Sequence, residues 1–215
     1  MYVLIHKNRV VVGPMGWNRA MFDAALKRAK ITQTLPRVAP EQLPLVIDQD
    51  TKIMQASLVY QEYNSKIEYL HGPFWDLTGD QAIGTFEIKE TPVEQIKAKL
   101  IQDAAAARYD KEIAGVKATI QGLEVTVDTN RGSRDVFVQQ FLLMGENDVS
   151  SWKFPEGWLS LSKQDLGLAV AAGVAHVQAA FDWERSKIEE INAATTPAQL
   201  DAVVIVEAQP EIAPE

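Results

Sequence analysis

The chain has 215 residues, 47% of them apolar and 23% charged, which is the balance of a folded globular protein and not of a disordered, collagenous or coiled-coil one. The formal net charge is −8, so no basic excess exists to neutralise nucleic-acid phosphates or an anionic membrane surface. Cysteine is absent, which excludes disulfides, thiolate metal sites and a cysteine nucleophile.

The first quarter reads as strand and turn. Tyr2–Ile5 and Val10–Val12 are short β-prone runs around Lys7-Asn8-Arg9, a hairpin spacing. The apolar run after Met1 is too short for a signal peptide and lacks a basic leader, and no uninterrupted apolar run reaches the length of a membrane span. Gly13-Pro14-Met15-Gly16 reads as a turn. Asn18 is a candidate cap for a helix from Arg19 to about Lys30, with Met21, Phe22, Ala25, Leu26 and Ala29 on one face. A proline-bearing connector, 35–44, leads to strand-like runs at 45–47, 53–60 and 84–88. Between the last two lie Tyr60, Tyr63, Tyr69, Phe74 and Trp75. Residues 1–90 are expected to form a small, mostly β domain with a helix.

Thr91-Pro92-Val93-Glu94 suggests a capped helix start, and the helix is expected to run to about Ile113 and stop at Gly115. With its charged flank, 91–115 reads as a connecting helix. Two β-hairpins are expected in 116–206: 116–127 around Gln121-Gly122, and 152–161 around Pro155-Glu156-Gly157. Helices are expected from the polar turn 128–133 through Met144, with Phe137, Val138, Phe141 and Leu142 inward, from the cap Ser162 with Asp165, and from the cap Thr196 with Gln199. The acidic end, 207–215, reads as an extended tail. The expected class is α+β, with a C-terminal domain of two hairpins and about three helices.

The ordered set Thr129-Asn130-Arg131-Gly132-Ser133-Arg134, Trp152-Lys153 and His176-Val177-Gln178-Ala179-Ala180-Phe181-Asp182-Trp183-Glu184 resembles a domain of unknown function found in tailed-bacteriophage tail, baseplate and tail-fibre-associated proteins. The resemblance begins near Lys111 and ends near Val203. It implies a setting in the virion tail, with host cytoplasm as the place of assembly. It also implies partners among other tail or baseplate proteins and the tail fibre, and several copies in a symmetric assembly. The alternative is a tail-fibre assembly chaperone that is missing from finished particles. No enzymatic activity comes with the resemblance.

The residues themselves offer little chemistry. His176 lacks a second strong ligand, since His6 and His71 fall in the other domain, so it reads as a packing residue and not as a metal or catalytic group. Asp128 to Gly132 fails as a calcium loop, because glycine comes one position early, Arg131 intrudes and Gln139 stands where a bidentate glutamate is required. Asp48, Asp50, Glu87 and Glu90 are too scattered for a glycosidase pair. No phosphate-binding loop, nucleophile elbow or zinc-protease motif occurs. No catalytic residue, metal or cofactor is assigned, and neither nucleic acid nor membrane is expected as a partner. Arg131 and Arg134 are expected to hold a carboxylate, either an internal one such as Glu124 or Glu184, or one from a neighbouring subunit. Arg134 should matter more than Lys163, which is expected to face solvent. Trp17, Trp75, Trp152, Trp158 and Trp183 divide between core, subunit contact and carbohydrate stacking.

Overall fold

The computed structural model describes residues 1–32 and 35–205, which form two compact units, Met1–Glu90 and a second that begins at Thr91. The class is α+β. The tail at 207–215 lies outside the described residues.

In the first unit β1 (Tyr2–His6) and β2 (Arg9–Met15) make the expected hairpin. Its two turn residues, Lys7 and Asn8, both take positive φ (50° and 60°), the handedness that suits a two-residue connection between twisted strands. Helix α1 (Arg19–Arg28) follows, with the Asn18 side chain accepting from the Met21 amide. Next come β3 (Leu45–Asp48), β4 (Thr51–Val59), β5 (Glu68–Asp76) and β6 (Gln81–Glu90). The sheet order is β2-β1-β4-β6-β5, with β3 also on β4 and with β4 and β6 parallel.

Alternation along β1 divides the unit's core between the two faces of the sheet. Leu4 joins Phe22 and Leu26 of α1, Leu35 and Ile53 on one face. Val3 and Ile5 join Met54, Ala56 and Ala82 on the other, where Trp75 and Leu77 pack. Met21, expected inward, is exposed, because the helix face of Phe22, Ala25 and Leu26 makes the contact.

One expectation is corrected here, and one strand was not anticipated. Residues 13–15 are strand and not turn: Gly13, at φ 101°, absorbs a one-residue slip in the β1–β2 register, and β2 continues through Pro14 to Met15. Of the aromatic cluster, Tyr60 and Tyr63 lie outside the strands, while Tyr69, Phe74 and Trp75 lie in β5, a strand that the sequence reading does not include. Its alternation is broken by a second slip, between His71 and Phe74, where Gly72 (φ 143°) precedes Pro73, so β5 has no clean period of two to read. The two outer strands of the β2-to-β5 path thus each carry a Gly-Pro irregularity.

In the second unit α2 (Val93–Ile113) and α4 (Lys163–Ala193) pack along one another. Lys97 reaches the Asn192 carbonyl and Arg108 reaches Glu184, so the two helices run antiparallel. The helix read as a connector is therefore integral to this unit, and its Ile96, Leu100 and Ala104 are buried. No capping box forms at its start. Pro92 is itself the cap residue, which leaves Thr91 one position too early. Gly115 follows the helix at φ 82°, as a left-handed stop requires.

Hairpins β7–β8 (Val116–Ile120, Leu123–Val127) and β9–β10 (Val149–Phe154, Gly157–Ser162) flank α3 (Arg131–Leu143). Gln121 and Gly122 both have positive φ in the first hairpin's turn. Ile120, Val125, Phe137, Phe154, Leu161 and Leu166 are central to the core they build against α4. Val138 and Leu142, expected inward, are exposed, because α3 buries only the flank of Phe137 and Phe141. Both later capping boxes form: Ser162 with Asp165, and Thr196 with Gln199 at α5 (Pro197–Asp201). An 18-residue window of α4 reaches a mean hydropathy of 1.2, so by length and composition alone the helix could cross a membrane, although polar residues such as His176 and Gln178 interrupt its apolar run. Here it is the helix against which α2, α3 and both hairpins pack.

Substituting Gly13 tests the first irregularity. A Cβ there would lie 2.4 Å from the Tyr2 carbonyl oxygen, and the φ disfavours any side chain. Gly13→Ala should lower the stability of the first unit by about 2 kcal/mol or more. Gly16→Ala, which meets no atom within 4 Å, should stay within about 0.5 kcal/mol of wild type. Urea denaturation followed by tryptophan fluorescence would show both.

Candidate functional site

The last turn of α2 carries a carboxylate where the helix C-terminus disfavours one. Glu112 is also buried, with 2% of its surface exposed. Such a group is tolerable only if it is neutralised and hydrogen-bonded. Arg108, one turn earlier, bonds Glu112 Oε2 through Nη1 and Glu184 Oε2 through Nε at 3.0 Å. Arg134 Nη2 lies 2.5 Å from Glu112 Oε1, and Arg131 Nε stands 3.6 Å from the same oxygen. Burial pushes the Glu112 carboxyl up. The hydrogen bond and charge of Arg134, the charge of Arg131 and the hydrogen bond from Arg108 outweigh it, so its pKa falls below the ordinary carboxylate value.

The Thr129–Arg134 motif and the His176–Glu184 motif both meet at this turn, while Trp152-Lys153 lies on the β9–β10 hairpin. Thr129 is buried; its hydroxyl donates to the Glu112 carbonyl at 2.6 Å and accepts from the Gly115 amide at 3.0 Å. It thereby satisfies a free helix-end carbonyl. Asn130 caps α3 by accepting from the Ser133 amide, and Asp128 accepts from the Asn130 amide and the Ser133 hydroxyl. These bonds aim the first turn of α3, with Arg131 and Arg134, at Glu112. From α4, His176 donates through Nε2 to the Lys111 carbonyl at 2.7 Å, since the carbonyl can only accept. Phe181 lies under the Arg108 guanidinium at 4.7 Å, and Trp183 under the Lys111 ammonium at 4.8 Å, both cation–π distances. Tyr109 faces Arg131 at 5.9 Å.

Arg131, Arg134, His176, Trp183 and Glu184 are thus brought together around the end of α2. The expected partner of the two arginines is corrected. It is Glu112, while Glu184 pairs with Arg108 and Glu124 lies nearest Lys117. Arg108 and Glu112 were missed. The available signal was a cation–carboxylate pair four residues apart in a helix's last turn, with the carboxylate at the wrong end for the dipole. Lys163 is also corrected: it is partly buried, 3.3 Å from Glu146, with its ammonium over Phe141.

The remaining tryptophans lie elsewhere. Trp17 packs against Tyr2 and Phe22, and Trp75 against the other face of the first sheet. Trp152 stacks on Phe137 at 4.4 Å. Trp158 is 70% exposed. A separate tie joins the hairpins: Glu156 accepts from the Thr126 amide and hydroxyl and from Lys117, and these bonds hold its pKa down to about 2. Among the described residues no group of three or more His, Asp or Glu is placed to hold a metal ion.

Residues 95–204 match a family described as a domain of unknown function, DUF4376. The chain belongs to that family. The match takes in α2, so the family unit includes the helix that carries Arg108 and Glu112 as well as the motifs that surround them. No curated protein and no solved structure matches the chain.

Removing Arg134 leaves a buried carboxylate with part of its compensation gone. Arg134→Ala should cost about 3 kcal/mol. Lys163→Ala, which loses a pair to an exposed Glu146, should cost under about 1 kcal/mol. Equal melting temperatures would contradict this assignment. The acid response follows from the depressed Glu112 pKa. Its contribution is present above the ordinary carboxylate value of 4.5, where both states are ionised. It is lost as pH falls towards the folded value, because the unfolded chain takes up its proton first. Urea midpoints between pH 6 and 3 should therefore fall more steeply for wild type than for Glu112→Gln.

Proposed function

We propose that the protein is a structural component of a bacteriophage tail, in the baseplate or at the tail-fibre attachment, and that it works by binding other tail proteins. The supporting observation is how the motif residues are used. Thr129, Arg131, Arg134, His176, Phe181 and Glu184 all make their contacts inside the chain, around the end of α2. These residues build a frame instead of presenting reactive groups to a substrate.

The frame's outside carries the means of contact. Leu142 and Leu143 at the end of α3 are 71% and 81% exposed, and Val149 and Val174 are exposed as well. Exposed aliphatics on a stiff support suit association by surface complementarity. In this reading the protein is present in several copies in a symmetric tail.

Mass spectrometry of purified particles from the phage that encodes this chain should find it in fixed proportion to the other tail proteins. Abundance in infected cells with absence from finished particles would overturn the structural role in favour of an assembly chaperone.

A further inference from the structure

The outer face of the β9–β10 hairpin differs from the rest of the second unit. Alternation sends Trp152, Phe154, Leu159 and Leu161 towards the core and leaves Ser151, Lys153, Trp158 and Ser160 outside, all exposed. In the antiparallel register Trp158 is opposite Lys153 and Ser160 is opposite Ser151. Directly opposed side chains on one face sit about 5 Å apart at Cβ, so the four form one contiguous patch. At 70% exposure Trp158 has the most exposed aromatic ring among the described residues.

The polar groups around this ring are unspent. Among the described residues the Lys153 ammonium and the Ser151 and Ser160 hydroxyls have no hydrogen-bond or ion-pair partner, whereas neighbouring Lys117, Thr126, Glu156 and Asp165 are all engaged. A flat apolar ring ringed by free hydroxyls and an ammonium is poorly suited to an apolar protein anchor, which needs a dry surround to exclude water. It is well suited to a ligand that is apolar on one face and hydroxylated at its rim. A pyranose ring has that form: its C–H face can lie on the indole, and its hydroxyls can bond the serines and the lysine.

We propose that Trp158, Lys153, Ser151 and Ser160 form a carbohydrate-binding platform for a pyranose of an oligo- or polysaccharide. The platform lies on an open ribbon, so binding is shallow and weak for one sugar. It gains strength only when several copies of the protein engage a long glycan. The assignment does not depend on the tail role proposed above, and particle composition does not test it.

The test is titration of the full ¹⁵N-labelled chain with maltohexaose, cellohexaose, chitotriose and mannohexaose, followed by amide and indole chemical shifts. The expected result is saturable shifts for at least one of them, confined to the Trp158 indole and the amides of 151–153 and 158–160. Trp158→Ala should weaken binding by about tenfold or more, Trp158→Tyr should retain it, and Lys153→Ala should weaken it by several fold. Unchanged spectra with all four sugars would overturn the proposal, as would shifts that persist in Trp158→Ala. Concentration-dependent self-association that Trp158→Ala abolishes, with no response to sugar, would also overturn it and would make the ring a protein contact.

Discussion

A single buried carboxylate organises the second unit. Glu112 sits at the end of α2, out of water and at the unfavourable pole of its own helix. Its burial is tolerable only with cations at bonding distance, and those come from two directions: Arg108 from its own helix and Arg134 from α3. Because Arg108 also holds Glu184, the same network fixes α4. Three helices are positioned relative to one another by groups that cannot part without stranding a charge. Paired burial of this kind does more for a unique arrangement than for net stability, since an apolar replacement of similar volume could be as stable.

This accounts for the spread of the motif residues along the sequence. Thr129 fixes the loop against the end of α2, Asn130 and Asp128 set the first turn of α3, and His176, Phe181 and Glu184 close the other side from α4. These residues are far apart in the chain and meet at one helix end. They read as separate weak signals until the element they surround is identified.

Much of the fold could be read locally. Hairpins with two left-handed turn residues, the Ser162 and Thr196 capping boxes and the Gly115 stop each depend on a few adjacent residues, so the sequence states them directly. The missed features depend on distant partners. Strand β5 hides behind Gly72-Pro73, and the exposure of Val138, Leu142 and Met21 depends on which flank of a helix its neighbours cover. At the site, the expected bond from His176 to backbone is made to the Lys111 carbonyl, and Arg131 and Arg134 hold a carboxylate, though it is Glu112 and not Glu124 or Glu184. Glu112 escaped notice because a glutamate in the last turn of a helix with a charged flank looks like solvated surface, and only the approach of α3 makes it interior.

The Gly-Pro pairs in β2 and β5 bear on how the first unit can associate. A proline offers no amide to an incoming strand, and the register slip beside it bends the strand's free side. Continuation of the sheet into a neighbouring chain is therefore disfavoured where Pro14 and Pro73 sit on its two outer path strands. At those two strands association is steered towards side-chain surfaces, which can be dissolved and re-formed, and away from the near-irreversible backbone templating by which unguarded strands become fibrils.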